Sequence, residues 1–125
     1  MLRIVAIAAA AVIPAAAIAL AQDKAAAPEK GCDGSTYEMV ECLKGLTANW
    51  DKKLNTAYAA VLKGAQPKQR DQLRAAQRLW VQYRDANCLY WRLGEGTIAA
   101  IEAADCMYRL TRTRAEELDG AAERN

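Results

Sequence analysis

From residue 35 to residue 118 the apolar side chains return every three or four positions, in three successive runs. That spacing restricts the chain to helices more firmly than any other feature it has. Ser35, Thr36, Tyr37 and Glu38 form a capping box, in which the serine hydroxyl accepts from the amide three residues on and the glutamate carboxylate reaches back. Met39, Leu43, Leu46, Trp50, Leu54, Ala57 and Val61 then mark one face of a first helix, widened by Tyr58 and Leu62. Gly64 and Pro67 end it and open the next element. A second helix is predicted from about Pro67 to Leu93, with Leu73, Ala76, Trp80, Tyr83, Asn87 and Tyr90 as its buried stripe and Leu79 and Trp91 flanking it. Gly94, Glu95 and Gly96 stop that helix. Thr97 is expected to cap a third, which buries Ile98, Ile101, Ala104, Tyr108, Ala115 and Leu118 and ends at Gly120. No run alternates with the period of a strand. The expected fold is all-α, a three-helix antiparallel bundle or hairpin assembly.

Ahead of these runs, 19 of the first 21 residues are hydrophobic, which accounts for much of the overall 53%. Arg3 precedes an apolar stretch from Ile4, and Ala19, Leu20 and Ala21 give a small-x-small cleavage pattern. Residues 1–21 read as a signal peptide cleaved after Ala21. The stretch is alanine-rich and broken by Pro14, which disfavours an uncleaved anchor. No cysteine stands at the cleavage point to accept a lipid, and no twin arginine precedes the run. The expected location is periplasmic or secreted, with no stable membrane insertion after cleavage. Residues 22–31 read as a flexible linker, 32–120 as the helical domain and 121–125 as a C-terminal tail.

Export governs the reading of Cys32, Cys42, Cys88 and Cys106. Four cysteines in a small exported domain point to two disulfides. Zinc would need close pairs such as C-x-x-C, and there are none. Three pairings are open to four cysteines; Cys32–Cys42 with Cys88–Cys106 is favoured because it closes two short loops. A hairpin about the Gly94–Gly96 turn brings Cys88 toward Cys106, and Cys32 precedes the first helix closely enough to fold back on Cys42. Such staples suit a core this small.

Catalytic chemistry finds little to work with. There is no histidine, which removes His-based triads, His metal sites and His general bases. Asp51, Asp85, Glu95, Asp105 and Glu117 are the carboxylates that a glycosidase pair would draw on, but nothing places two of them across one cleft. They read instead as ion-pair partners and solvated helix faces. Disulfides would remove the thiolate a cysteine nucleophile needs, and no phosphate-binding glycine loop occurs. With 17 Lys and Arg against 15 Asp and Glu, no basic stripe suggests nucleic acid. No cofactor, metal or catalytic set is expected. Tyr90 and Trp91 beside the glycine turn point about 100° apart, so that one of them is a candidate exposed anchor for a partner.

The chain resembles the small exported domain of the LprI-type lysozyme inhibitors and of many bacterial envelope proteins. The matching residues are Cys32 and Cys42, then Asp51, Leu54, Asn55 and Tyr58, then the run from Leu73 through Gln77, Arg78, Trp80, Tyr83, Arg84, Asp85 and Ala86 to Cys88. Cys106, Leu110, Thr111, Arg114, Glu117 and Leu118 follow. The resemblance spans nearly all of the chain after the leader and implies a helical, disulfide-bonded, non-enzymatic domain. Two departures stand out. The inhibitor that names the family is a lipoprotein, and the turn here is Gly94, Glu95, Gly96 and Thr97 where the family often has a Gly-Gly-Ser/Thr type.

Arg84, Asp85, Asn87 and Arg114 lie on or beside buried stripes, where charges must be paired. A network joining Asp51, Arg84, Asp85 and Arg114 between helices is expected to fix helix register. The partner that the resemblance implies is lysozyme; another envelope protein is the alternative. C-type lysozymes are basic and hold their catalytic carboxylates in a groove, so an inhibitor needs acidic or polar groups on a protruding loop. Glu95, with Tyr90 and Trp91 beside it, is the expected contact.

Overall fold

A computed structural model describes residues 31–124. The expected signal peptide and residues 22–30 of the expected linker lie outside the described residues. Three helices follow one another: α1 (Thr36–Gly64), α2 (Pro67–Arg92) and α3 (Ile98–Ala122). No strand occurs among the described residues.

The capping box forms as read. The Glu38 amide donates to the Ser35 hydroxyl at 3.3 Å, and the Ser35 amide donates to a Glu38 carboxylate oxygen at 2.8 Å. Gly34, at φ +119°, makes room for that carboxylate; a Cβ there would come within 2.6 Å of it. α2 starts with Pro67 in its first turn, after Gln66 has donated its amide to the Gln69 side chain at 2.9 Å. The turn into α3 corrects one expectation. Thr97 occupies the cap position, but its backbone is already helical (φ −69°, ψ −24°) and its hydroxyl caps nothing. A capping side chain needs an extended backbone at its own residue. Here main-chain bonds close the turn, Gly94 N–H to Trp91 O at 3.1 Å and Ala100 N–H to Thr97 O at 3.3 Å, with Gly96 at φ +74°.

Gly120 does not end the third helix, which runs on to Ala122. Ala121 and Ala122 pack against the core. That contact outweighs the cost of a glycine inside a helix, about 1 kcal/mol.

The core is a seam between α1 and α3. At one end Leu54, Ala57 and Val61 meet Ala115 and Leu118, with Trp50, Tyr58, Leu73 and Trp80 around them. At the other, Cys32 and Leu43 meet Ala104 and Tyr108. Small residues at 57, 104 and 115 let the two helix axes approach closely. The first stripe therefore lies where its spacing predicts. α2 packs on α3 and barely touches α1. The molecule is the hairpin-assembly form of the expected architecture rather than a closed bundle.

This openness overturns part of the predicted second stripe. Cys88 is the only buried residue of α2 among those described. Leu73 and Trp80 turn inward onto the core, but Ala76, Tyr83 and Tyr90 face solvent, as does Leu79. Two apolar rows wind along α2 about a quarter to a third of a turn apart. Periodicity alone merges them; only the inner row meets α3. In α3, Ile98 is likewise exposed, and its neighbour Ala99 is buried in its stead. Thr111 joins the buried face with no exposure at all. Both disulfides have the favoured pairing, Cys32–Cys42 and Cys88–Cys106, each with a Cα–Cα distance of 5.5 Å.

Candidate partner-binding site

The end of the α2–α3 hairpin gathers large apolar side chains in solvent. Tyr90, Leu93 and Ile98 are 71%, 76% and 54% exposed, and Trp91 is partly covered at 39%. Both aromatics are thus accessible, where the 100° step between them predicted one. Their rings meet edge-on, with centroids 5.3 Å apart and planes at 77°. Tyr90, Trp91, Leu93 and Gly94 line a concavity of about 310 Å³, with Glu102 from α3 on its wall. Apolar groups left in water beside a concavity gain free energy when a partner covers them.

Two carboxylates border this surface. Glu95 stands on the turn, as expected. Glu102 comes from one helical turn beyond Ile98, four residues on and therefore on the same face; the sequence reading missed it, although that spacing was the available signal. Neither carboxylate forms an ion pair among the described residues. The tip is held from below. The Cys88–Cys106 bridge ties α2 to α3, and the Asn87 amide donates to Cys106 Sγ at 3.4 Å. A surface fixed in advance loses less freedom on binding.

The expected polar network is not a single unit. Arg84 pairs with its neighbour Asp85 at 2.9 Å and lies over the Trp80 ring, its guanidinium carbon 5.0 Å from the centroid. Arg114 donates to Gln77 at 3.0 Å and pairs with Glu117 at 2.8 Å. Asp51 takes no part. It sits exposed on α1 and accepts from the Asn55 side chain at 3.4 Å. The cause is the open arrangement: α2 scarcely meets α1, so a carboxylate on the outside of α1 has no route to the α2–α3 seam. Gln77, the cross-helix partner of Arg114, is one of the residues that carry the family resemblance but has no place in the expected network, although its position between Leu73 and Trp80 puts it on the inner row.

A larger groove of about 520 Å³ follows the α1–α3 seam, floored by Ala57 and Ala115. Lys52, Lys53, Glu116 and Asp119 line it with both signs of charge. Lys53 Nζ lies 4.0 Å from the Trp50 ring centroid, and the Arg112 guanidinium carbon lies 5.4 Å from it. Among the described residues no group of three or more His, Cys, Asp or Glu side chains is placed to hold a metal ion, and no helix is long and apolar enough to cross a membrane. What the hairpin tip offers is contact: an apolar anchor set with acidic groups beside it.

Comparison with curated proteins and with solved structures finds no match. The family model described as "Lysozyme inhibitor LprI" matches residues 27–118. That span takes in all four cysteines, α1, α2, the hairpin tip and most of α3. The chain belongs to the LprI lysozyme inhibitor family.

Proposed function

We propose that this protein is an exported, non-catalytic binding protein that inhibits lysozyme by seating the α2–α3 hairpin tip in the enzyme's cleft. The observation that carries the reading is the exposed apolar set Tyr90, Leu93 and Ile98 on a disulfide-braced tip, flanked by Glu95 and Glu102, in a chain of this family. The apolar side chains supply area to bury. The two carboxylates suit the basic surface around a lysozyme groove and discriminate against acidic partners. A formal net charge of +2 gives no long-range attraction to a basic enzyme, so affinity rests on contacts at the tip. The leader, cleaved after Ala21, delivers the domain to the periplasm or the medium, where its disulfides persist.

The test is a binding and inhibition series against c-, g- and i-type lysozymes with the wild type, Glu95→Ala and Leu93→Ala. Inhibition of one class, weakened in both variants, supports the reading. Failure of the wild type to inhibit any class sinks it, and leaves an interaction module of the envelope as the surviving reading. Equal inhibition by wild type and Glu95→Ala removes Glu95 from the contact.

A further inference from the structure

The outer row of α2 is more regular than an ordinary solvent face. Ala76, Leu79, Tyr83, Ala86, Tyr90 and Leu93 follow one another at alternating steps of three and four and are all exposed. Leu79 and Tyr83, at its middle, are 65% and 57% exposed. This is the a/d spacing of a helix that packs along another helix. No charged residue occupies the row, and positions 75, 80, 82, 87 and 89 immediately beside it are uncharged; Arg78 and Asp85 stand one position farther out. α1 does not cover the row, and α3 lies against the inner one.

We infer that this row is a self-association surface, on which α2 of a second copy of this chain packs antiparallel. The row is complementary to itself about a two-fold axis level with Val81. Leu79 then faces Tyr83 of the second copy, and Ala76 faces Ala86, on both sides of the axis. Alanine against alanine lets two helices approach to about 8 Å, while Leu79 and Tyr83 supply the apolar area between them. Toward the ends, Tyr90 and Leu93 stand level with only Gln72 and Gln69, which cover little of them, so the hairpin tips lie at opposite ends of the pair and keep their apolar surface for a partner. On the rim the charges agree with the same axis. Arg78, which has no ion pair among the described residues, stands within one residue's rise, about 1.5 Å along the axis, of the level of Asp85 of the second copy. Asp85 keeps 55% of its side chain exposed beside Arg84 and can accept the second cation. The symmetry makes this contact twice. A parallel arrangement would put Arg78 and Asp85 of the two copies on opposite flanks and lose the contact.

The experiment is sedimentation equilibrium of the protein purified after export, across the micromolar range. The expected result is a mass rising from one chain to two. Leu79→Glu together with Tyr83→Glu gives a single-chain mass with unchanged helical circular dichroism, and Tyr83→Glu alone weakens the dimer, whereas Tyr37→Glu, at an exposed tyrosine on α1, leaves it intact. Asp85→Arg weakens association roughly tenfold, and adding Arg78→Asp restores it. A single-chain mass up to millimolar concentration overturns the proposal, as does a dimer indifferent to the Leu79 and Tyr83 substitutions. A charge swap that fails to restore association overturns the antiparallel arrangement. Lysozyme inhibition is read separately through Glu95→Ala, so either proposal can fail without the other.

Discussion

Arg114 on α3 donates its Nε–H to the Gln77 side-chain oxygen on α2 at 3.0 Å, joining residues 37 apart in sequence. Its side chain is only 11% exposed, and its other partner, Glu117, is largely in solvent. Gln77 is therefore the interior half of this guanidinium's support. Gln77→Ala leaves a covered cation short of an acceptor and is expected to destabilise the protein by about 1–2 kcal/mol. Urea denaturation of the variant measures this, and a midpoint unchanged from wild type would show the contact to be idle.

Arg84 and Asp85 form an ion pair whose two members are expected to matter unequally. Arg84 is 15% exposed and lies over Trp80; Asp85 is 55% exposed. An exposed carboxylate on such a pair adds little, while the arginine stem and its ring contact bury area. Arg84→Ala should lower stability by about 1 kcal/mol or more, and Asp85→Asn by less than about 0.5 kcal/mol. Thermal melts of the two variants decide the order; equal losses would assign the stability to the charge pair itself.

Thr111 is fully buried in α3, and its hydroxyl has no hydrogen-bond partner among the described residues. Thr111→Val keeps the shape and removes the unsatisfied group. The variant should gain about 1 kcal/mol. A loss in equilibrium unfolding would reveal a partner for the hydroxyl, such as a buried water.

The Glu38 carboxylate accepts from the Ser35 amide and hydroxyl, which holds its pKa below the ordinary carboxylate value, the backbone bond being the larger cause. A depressed folded-state pKa adds stability above the unfolded value, about 4.3 for glutamate. That contribution fades as pH falls through the folded value. The difference in melting temperature between wild type and Glu38→Ala should be full at neutral pH and narrow in acid below pH ~4. A difference that is constant from neutral pH into strong acid would mean that the bond does not depend on the carboxylate's charge.

Much of this was legible in the sequence, for identifiable reasons. The first stripe from Met39 to Val61 is a single row, so spacing alone oriented α1. The cysteines paired as favoured because Cys32 and Cys42 flank a helix start, while Cys88 and Cys106 flank a hairpin. The second helix was harder because two apolar rows share it. Which row is buried depends on where α1 lies, and alanines 57, 104 and 115 draw α1 onto α3 instead of across α2. The same tertiary choice stranded Asp51 from the arginines. At the candidate site, the turn, Tyr90, Trp91 and Glu95 could be read from local chemistry. Glu102 needed the geometry of the next helix.

Each disulfide links cysteines that are consecutive in the chain, separated by 10 and 18 residues, and neither crosses the α1–α3 seam. A chain threading into an oxidising compartment amino end first can thus make its bonds in order of emergence. Cys32 meets Cys42 before either later cysteine has arrived, and Cys88 then finds Cys106 as its sole remaining partner. With export as proposed, correct connectivity is expected to follow from the timing of delivery, so that a simple thiol oxidase would suffice without an isomerase to unscramble mistakes.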